Sequence, residues 1–293
     1  MSRSAALARA DVLVASPCEA RPIVKWAGGK SRLVPELIRR GPQRFERYFE
    51  PFLGGGALFF ALAPKRAVLG DANPALIATY RAVARDLPGV LGHLEQLRRH
   101  DEERYYRVRD GWNRGGQSAS ERAAMFLYLN RTCFNGLWRV NRQGHFNVPI
   151  GRYAGPPQFD EWTLRAAAGA LSRARLVTGD YRKTLAEAGP GDFVYLDPPY
   201  YPTSKTARFA SYTARPFGLV QQRELATCAA ELVERGVAVL VSNSDQVAVR
   251  ALYSGFRRYP VRVPRSINAN GRRRGEVAEL IFAGGFPPRR GRG

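Results

Sequence analysis

Apolar and polar positions in the first third of the chain switch between the short period of strands and the longer period of helices. The pattern predicts a strand, a helix, a strand and a helix in succession, over residues 47–52, 55–63, 66–71 and 74–85. Asn73 suits the capping position of the last helix, and Pro74 suits its first turn. This order predicts a βαβα unit.

The same alternation resumes after residue 160. Strands are predicted over 175–180, 192–197, 236–243 and 277–283, with a helix over 219–235. In that helix, Leu225, Cys228, Ala229 and Leu232 share one apolar stripe, and Gly236 suits its C-terminal stop. Strands that alternate with helices predict an α/β fold with a mainly parallel, doubly wound sheet.

Residues 88–159 have a different composition, rich in Arg, Tyr and Gln, and are mainly helical in pattern. Ser118 and Glu121 form a capping box. A β-hairpin is predicted from 138–140 and 145–148, around a turn of three polar residues and one glycine at 141–144. We therefore expect an inserted subdomain at 88–159, within a larger domain made of 21–87 and 160–285, a flexible tail at 1–20 and a basic tail at 286–293.

The charge of the chain points to a polyanionic partner. Its 46 basic and 25 acidic residues give a net charge of +21 and a pI of about 10.7. Such an excess attracts nucleic acid, and the arginines at 272–274 and in the C-terminal tail add phosphate affinity. The three cysteines and three histidines lack the spacing of a metal site. No apolar run suits a membrane span or a signal peptide, so we expect a cytoplasmic protein without a metal.

Four polar motifs follow the predicted strands: EPFLGGG, GDAN, GDY and DPPYY. In an open parallel sheet, ligands bind beyond the carboxyl ends of the strands, so these motifs should converge. The glycines at 54–56 allow close approach of the backbone, and Asp71 is placed to bind ribose hydroxyls. These features favour an adenosine-type cofactor. The segment WAGGKS is no phosphate loop, because Val24 stands where that motif needs glycine.

The motif DPPYY should form a rigid corner. Pro198 and Pro199 end the strand and hold Asp197 in place. An ionised Asp197 beside the Pro198 carbonyl offers two acceptors for an exocyclic amine, and Tyr200 offers a flat face for a base. The alternative is that Asp197 caps a helix while the tyrosines pack.

This corner suits methyl transfer to a nucleobase. Hydrogen bonds from both amine protons to Asp197 and Pro198 would favour the tetrahedral nitrogen of the transition state. The nitrogen could then attack a sulfonium methyl group placed in line with it. A base stacked in a duplex cannot reach such a corner, so it must be flipped out.

The ordered motifs resemble those of the Dam-type DNA adenine-N6 methyltransferases: KWAGGK, EPFxGxG, an acidic strand end, a recognition insert and DPPY. The resemblance covers residues 22–284. It implies a Rossmann-like methyltransferase sheet with an inserted DNA-recognition subdomain, and S-adenosylmethionine as methyl donor. The cofactor site would contain Trp26, Lys30, Phe52, Gly54, Asp71, Asp180 and Asp197.

The resemblance also implies a DNA-reading hairpin within residues 128–153. Arg139 would read a guanine edge, Phe134 would wedge into the duplex, Asn135 and Leu137 would support that contact, and Pro149 would touch a neighbouring base. The implied target is GATC in double-stranded DNA. An ordinary phosphate contact is the alternative role for Arg139.

Other functions remain open at this point. The acceptor corner suits any exocyclic amine, so a cytosine-N4 or RNA methyltransferase is one alternative, although Asp197 favours adenine over cytosine. A non-catalytic DNA-binding protein on the same fold is another. We expect a monomer, with a cognate restriction endonuclease as a candidate partner.

Overall fold

A computed structural model describes residues 20–99, 101–152, 157–200, 217–264 and 276–288. The predicted N-terminal tail up to residue 19, the arginines at 272–274 and the last five residues of the basic C-terminal tail lie outside the described residues. No described helix is both long enough and apolar enough to cross a membrane.

Seven strands form a single sheet with the order β3-β2-β1-β4-β5-β7-β6. The strands are Tyr48–Glu50 (β1), Ala67–Asp71 (β2), Ala174–Thr178 (β3), Phe193–Leu196 (β4), Ala238–Ser244 (β5), Arg257–Pro264 (β6) and Glu276–Gly284 (β7). Strands β1 to β5 are parallel, and β7 runs antiparallel to β5 and β6. The predicted α/β fold with a mainly parallel sheet is confirmed.

Strand β6 was not among the predicted elements. Its sequence RRYPVRVP contains two prolines, which normally argue against a strand because proline lacks the N–H donor. Among the strands that the structure describes, β6 lies at the edge of the sheet and pairs only with β7. An edge position tolerates proline, so the fold accommodates a sequence that reads as a loop.

Ten α-helices lie in the described parts of the chain. They are Val34–Arg40 (α1), Ala57–Leu62 (α2), Pro74–Arg85 (α3), Leu87–Gln96 (α4), Glu102–Arg114 (α5), Ala119–Thr132 (α6), Glu161–Leu171 (α7), Tyr181–Leu185 (α8), Leu219–Glu234 (α9) and Val247–Leu252 (α10). The Asn73 side chain caps α3 by accepting from the N–H groups of Ala75 and Leu76. Gly236 follows α9 with a positive φ of 79°, as a C-terminal stop requires.

The sheet separates two apolar cores, because successive residues of a strand point to opposite faces. One face contributes Tyr48, Leu69 and Tyr195 to a core shared with α1 to α7. The other contributes Phe49 and Val194 to a core shared with α8, α9 and α10. Buried side chains of α4 to α6, between β2 and β3 in the sequence, belong to the first core. The division into domains stays a prediction.

On the face toward α1 to α7, the apolar residues give way to polar ones at the carboxyl ends of neighbouring strands. Each polar residue lies two positions after an apolar residue on the same face. The pairs are Leu69 and Asp71, Tyr48 and Glu50, Tyr195 and Asp197, and Leu240 and Ser242. The direction of the strand order reverses between β1 and β4. Ligands bind at such a point, so the fold collects polar side chains where a ligand is expected.

Glu50 is the most deeply buried of these acids, with 3% of its surface exposed. The Tyr48 hydroxyl donates to its Oε2 over 2.8 Å. Burial raises the pKa of Glu50 to about 8, and the nearby charges of Asp197 and Asp71 act in the same direction. Glu50 is therefore mainly protonated at neutral pH.

This buried proton predicts a pH-dependent stability. In the unfolded chain, a glutamate titrates near pH ~4.3, so between that pH and about 8 the folded protein holds a proton that the unfolded chain has lost. Stability should therefore fall as pH rises, by up to about 1.4 kcal/mol per pH unit. Glu50→Gln should remove this slope. In urea unfolding from pH 6 to 9, the free energy of unfolding of the variant should therefore rise relative to that of the wild type. Exposed Glu46→Gln is the control; parallel wild-type and Glu50→Gln profiles would contradict the prediction.

Candidate active site

Asp197 lies directly after β4 and is held by two partners. Its Oδ1 accepts a hydrogen bond from Ser242 Oγ over 2.6 Å and lies 3.1 Å from the ammonium of Lys30. Ser242 belongs to β5, and its Oγ also lies 2.9 Å from the Tyr195 hydroxyl. Both contacts with Asp197 involve Oδ1, so they fix the carboxylate from one side.

The backbone after Asp197 is held by a second set of buried side chains. Pro198 is buried, and the Pro199 carbonyl accepts from Gln222 Nε2 over 2.8 Å. Gln222, in α9, accepts in turn from Asn243 Nδ2 over 2.9 Å. Gln222 and Asn243 are both fully buried, and buried hydrogen bonds of this kind are costly to break. The corner is therefore fixed to α9 and β5.

Tyr200 is held through its hydroxyl and covered on its ring. The hydroxyl donates to Glu279 Oε2 in β7 over 2.8 Å. The Lys30 ammonium lies 4.5 Å from the centroid of the ring, within the range of a cation–π contact. Burial raises the pKa of Glu279, while the charge of Lys30 and the Tyr200 hydroxyl lower it. Lys30, Asp197, Tyr200 and Glu279 thus form one connected group, which we call the corner cluster.

Three of the residues predicted for the cofactor meet at the end of β2. Asp71 accepts from the N–H of Gly54 over 2.9 Å and from the N–H of Asn73 over 2.8 Å. Gly54 has a positive φ of 48°, and a Cβ there would lie 2.6 Å from the Trp26 ring. Burial raises the pKa of Asp71, and the two N–H groups lower it. Only glycine fits this contact between the turn and the indole.

Phe52 and Asp180 each lie two residues beyond the end of a strand, Phe52 after β1 and Asp180 after β3. The Phe52 ring stacks on Tyr181, with centroids 5.6 Å apart. The exposed Asp180 caps α8 by accepting from the N–H of Arg182 over 2.9 Å, and pairs with the Arg182 guanidinium at 3.3 Å. Asp180 therefore has a local role in α8 besides the role predicted for it.

The chemistry of these side chains fits S-adenosylmethionine. Asp71 and Asp197 offer acceptors for hydroxyl and amine groups, and carboxylates together with aromatic rings tolerate a cationic sulfonium. Because Gly54 has no side chain, its backbone packs directly on the Trp26 ring. Within the described residues, no group of three or more His, Cys, Asp and Glu side chains could hold a metal ion.

Two of the residues predicted to read DNA, Phe134 and Asn135, lie on one turn after α6. Phe134 begins a short 3₁₀ turn, Phe134–Gly136, and is 46% exposed. Its N–H donates to the Pro149 carbonyl over 2.9 Å, which brings two of the predicted residues together. Asn135 is exposed and has a positive φ of 55°, a conformation that asparagine tolerates better than most residues. An apolar ring is thus presented to solvent on a braced turn.

Arg139 is exposed on the predicted hairpin, where one bridge joins Val140 to Phe146. Its Nε donates to Asn147 Oδ1 over 2.9 Å. The neighbouring Trp138 is 6% exposed and packs against Phe126, with ring centroids 3.9 Å apart. Burial of Trp138 turns Arg139 outward. Leu137 is only partly exposed and packs against the core.

Asn130 connects this turn to the KWAGGK segment. Its buried side chain accepts from the N–H of Lys25 and donates to the Lys25 carbonyl, both over 2.8 Å. It also donates to the Gly136 carbonyl over 3.2 Å. The turn that carries Phe134 is therefore fixed to the loop that carries Trp26 and Lys30.

Sequence reasoning missed several residues that hold the site together: Asn130, Gln222, Ser242, Asn243 and Glu279. A partial signal existed for two of them. Ser242 and Asn243 end the apolar run GVAVLVSN, as Asp197 ends its own strand. Asn130, Gln222 and Glu279 lie within elements, and nothing in their local sequence distinguishes them.

Similarity to known proteins extends over most of the chain. Residues 26–267 match the family model described as D12 class N6 adenine-specific DNA methyltransferase. The chain is 39% identical to the DNA adenine methylase of Escherichia coli (strain K12), over 89% of this chain and 94% of that protein. It is also 39% identical to the type II methyltransferase M1.LlaDCHI of Lactococcus lactis subsp. cremoris, with the same coverage. It is 37% identical to the type II methyltransferase M.MjaIII of Methanocaldococcus jannaschii, over 90% of this chain and 99% of that protein. The chain therefore belongs to the D12 class of N6 adenine-specific DNA methyltransferases.

Proposed function

We propose that this DNA adenine methyltransferase transfers the methyl group of S-adenosylmethionine to N6 of an adenine flipped out of double-stranded DNA at GATC. The observation that carries the proposal is that the corner cluster holds an N–H donor, the ammonium of its own Lys30, between acceptor oxygens and an aromatic ring. The Lys30 ammonium contacts the Asp197 carboxylate, donates to the Gly28 carbonyl over 2.7 Å and lies on the Tyr200 ring. An exocyclic amine on a flat base likewise needs acceptor oxygens for its N–H groups and an aromatic ring on which the base can stack.

Asp197 and Pro198 act on the amine of the target base. Asp197 accepts one N–H and the Pro198 carbonyl accepts the other, which favours the tetrahedral nitrogen of the transition state. Ser242 holds the carboxylate during this change, so little reorganisation is needed. Tyr200 stacks on the base and fixes the angle of approach.

The cofactor residues orient the methyl donor toward the corner. When bound, S-adenosylmethionine supplies an electrophilic methyl group on a sulfonium. Asp71 binds its ribose hydroxyls, Trp26 and Phe52 line the aromatic part of its site, and Asp180 contributes at the end of β3. The set is completed by Lys30, Gly54 and Asp197. Gly54 packs on Trp26 and Lys30 pairs with Asp197. The loop that carries Trp26 and Lys30 therefore joins the turn after β1 to the end of β4.

DNA is engaged by the braced turn and the net charge of the chain. Phe134 wedges into the duplex in the place of the extruded base, supported by Asn135 and Leu137. Pro149 contacts a neighbouring base. Arg139 reads guanine: its Nε is occupied by Asn147, while the terminal nitrogens of an arginine can donate to guanine O6 and N7.

The proposal includes the oligomeric state, the location and a partner of the enzyme. It acts as a monomer on DNA in the cytoplasm. Relatives are named both DNA adenine methylase and type II methyltransferase, and we propose that a cognate restriction endonuclease is its candidate partner.

Asp197→Asn tests the assignment of the corner. The change keeps an oxygen for Ser242 but removes the charge, so methyl transfer should fall by about 100-fold or more, as for loss of one preorganised transition-state contact. Transfer of labelled methyl to unmethylated GATC duplexes measures this, and mass spectrometry of the nucleosides should show N6-methyl-2′-deoxyadenosine. Asp110→Asn, an exposed change on α5, is the matched control. N4-methylcytosine as product, or near-normal turnover by Asp197→Asn, would refute the proposal.

Gly54→Ala tests the cofactor site. The new methyl group would lie 2.6 Å from the Trp26 ring, at a φ of 48° that disfavours alanine. We expect affinity for S-adenosylhomocysteine, measured by calorimetry, to fall about tenfold, the equivalent of ~1.4 kcal/mol. Gly169→Ala in α7 meets no atom within 4 Å and is the matched control. Unchanged affinity in Gly54→Ala would remove Gly54 and Trp26 from the site.

Arg139→Ala tests sequence recognition. Loss of a bidentate guanine contact should reduce discrimination at one base pair by about 10- to 100-fold, from 1–3 kcal/mol. Methylation of a randomised DNA library, read by sequencing, measures this preference. Arg142→Ala, at an exposed position on the same hairpin, should leave it unchanged. If Arg139→Ala weakens methylation of all sequences equally, Arg139 contacts phosphate instead.

A further inference from the structure

Glu279 belongs to β7, far in sequence from every motif of the site. It pairs with Ser244 in the register of β5 and β7. Two residues earlier on β5, Ser242 holds Asp197. Glu279 holds Tyr200 through the 2.8 Å hydrogen bond to the phenol. Neighbouring strands thus hold the acid and the ring of the same corner.

We propose that Glu279 is a positioning residue, which holds the Tyr200 ring in the orientation that stacks on the target adenine. This inference rests on the proposed function, since it assigns Glu279 a role in the same reaction. Glu279 itself touches neither base nor methyl donor in this proposal. It acts only through the phenol of Tyr200.

The backbone of the corner does not depend on Glu279. Gln222 fixes the Pro199 carbonyl and Ser242 fixes Asp197, each through its own hydrogen bond. A tyrosine ring can still rotate about its side-chain torsions when its backbone is fixed. Among the described residues, Glu279 is the hydrogen-bond partner of the phenol at the far end of the ring, so its loss should change the orientation of the ring and leave the corner in place.

The charged neighbours favour an acidic residue at this position. Lys30 lies over the ring and contributes a positive charge that acts on Glu279, while the Asp197 carboxylate acts in the opposite direction. Glu279 therefore accepts from Tyr200 beside an ammonium whose charge favours the carboxylate form. Glutamine at this position would keep the acceptor and lose only the charge.

Glu279→Ala, Glu279→Gln and Tyr200→Phe separate this role from a structural one. We expect Glu279→Ala to reduce kcat by about tenfold, the effect of one hydrogen bond to a charged group, with KM for DNA nearly unchanged because phosphate contacts dominate affinity. Tyr200→Phe should show a similar loss, and the double variant should be no slower than the slower single variant. Glu279→Gln should recover most of kcat.

A second measurement reads the ring directly. With 2-aminopurine in place of the target adenine, stacking on Tyr200 quenches fluorescence, so Glu279→Ala should restore part of the emission. Tyr253→Phe, which removes a buried hydroxyl on the opposite face of the sheet, is the control and should leave kcat unchanged.

The outcomes distinguish the two proposals. Absence of methyl transfer by the wild-type enzyme would refute the proposed function. Normal transfer by the wild type together with normal kcat in Glu279→Ala, or additive losses in the double variant, would overturn the role of Glu279 alone.

Discussion

The contact between Lys30 and Asp197 joins the two halves of the site. Lys30 comes from the loop before α1 and Asp197 from the end of β4, and their side chains are only 10% and 17% exposed. Charges so far withdrawn from water depend on each other, because removal of one leaves the other without compensation. The ammonium also reaches Gly28 and Tyr200. This one cation therefore keeps an acid, a carbonyl and an aromatic ring at a single point of the site.

The parallel sheet makes that meeting point possible. Side chains that are apolar within a strand become polar at its carboxyl end on the same face, from Asp71 through Glu50 to Asp197. Strands β5 and β7 then supply Ser242 and Glu279 as partners for the corner. Each polar group is held by a neighbouring strand, which gives a rigidity that a loop alone would lack. The buried proton of Glu50 belongs to the same arrangement, because several carboxyl groups share a small, poorly solvated volume.

Local sequence patterns were sufficient to predict individual helices and the family of the chain. The helix Pro74–Arg85 has the bounds that its cap and periodicity predicted, and the confirmed family follows from motifs in a fixed order. The partners of the corner were not predictable in this way. Ser242 lies 45 residues from Asp197, and Glu279 lies 79 residues from Tyr200. The Ser242 contact depends on the parallel pairing of β4 with β5, and the Glu279 contact depends on the antiparallel pairing of β5 with β7. No local pattern specifies either pairing, and β6 was missed because its edge position permits prolines.

Asn130 shows how recognition and chemistry share one support. It binds the backbone of Lys25 and of Gly136, so the turn with Phe134 cannot shift without the loop that ends in Lys30. Trp138 anchors the hairpin in an aromatic group with Phe126 and leaves Arg139 outside. A protein that must place one base within bonding distance of a fixed acid needs a rigid connection between its DNA-binding turn and its reaction site. Without it, a shift of the bound DNA would displace the amine from the acid. In the proposed function, the buried amide would therefore support specificity alongside the exposed arginine.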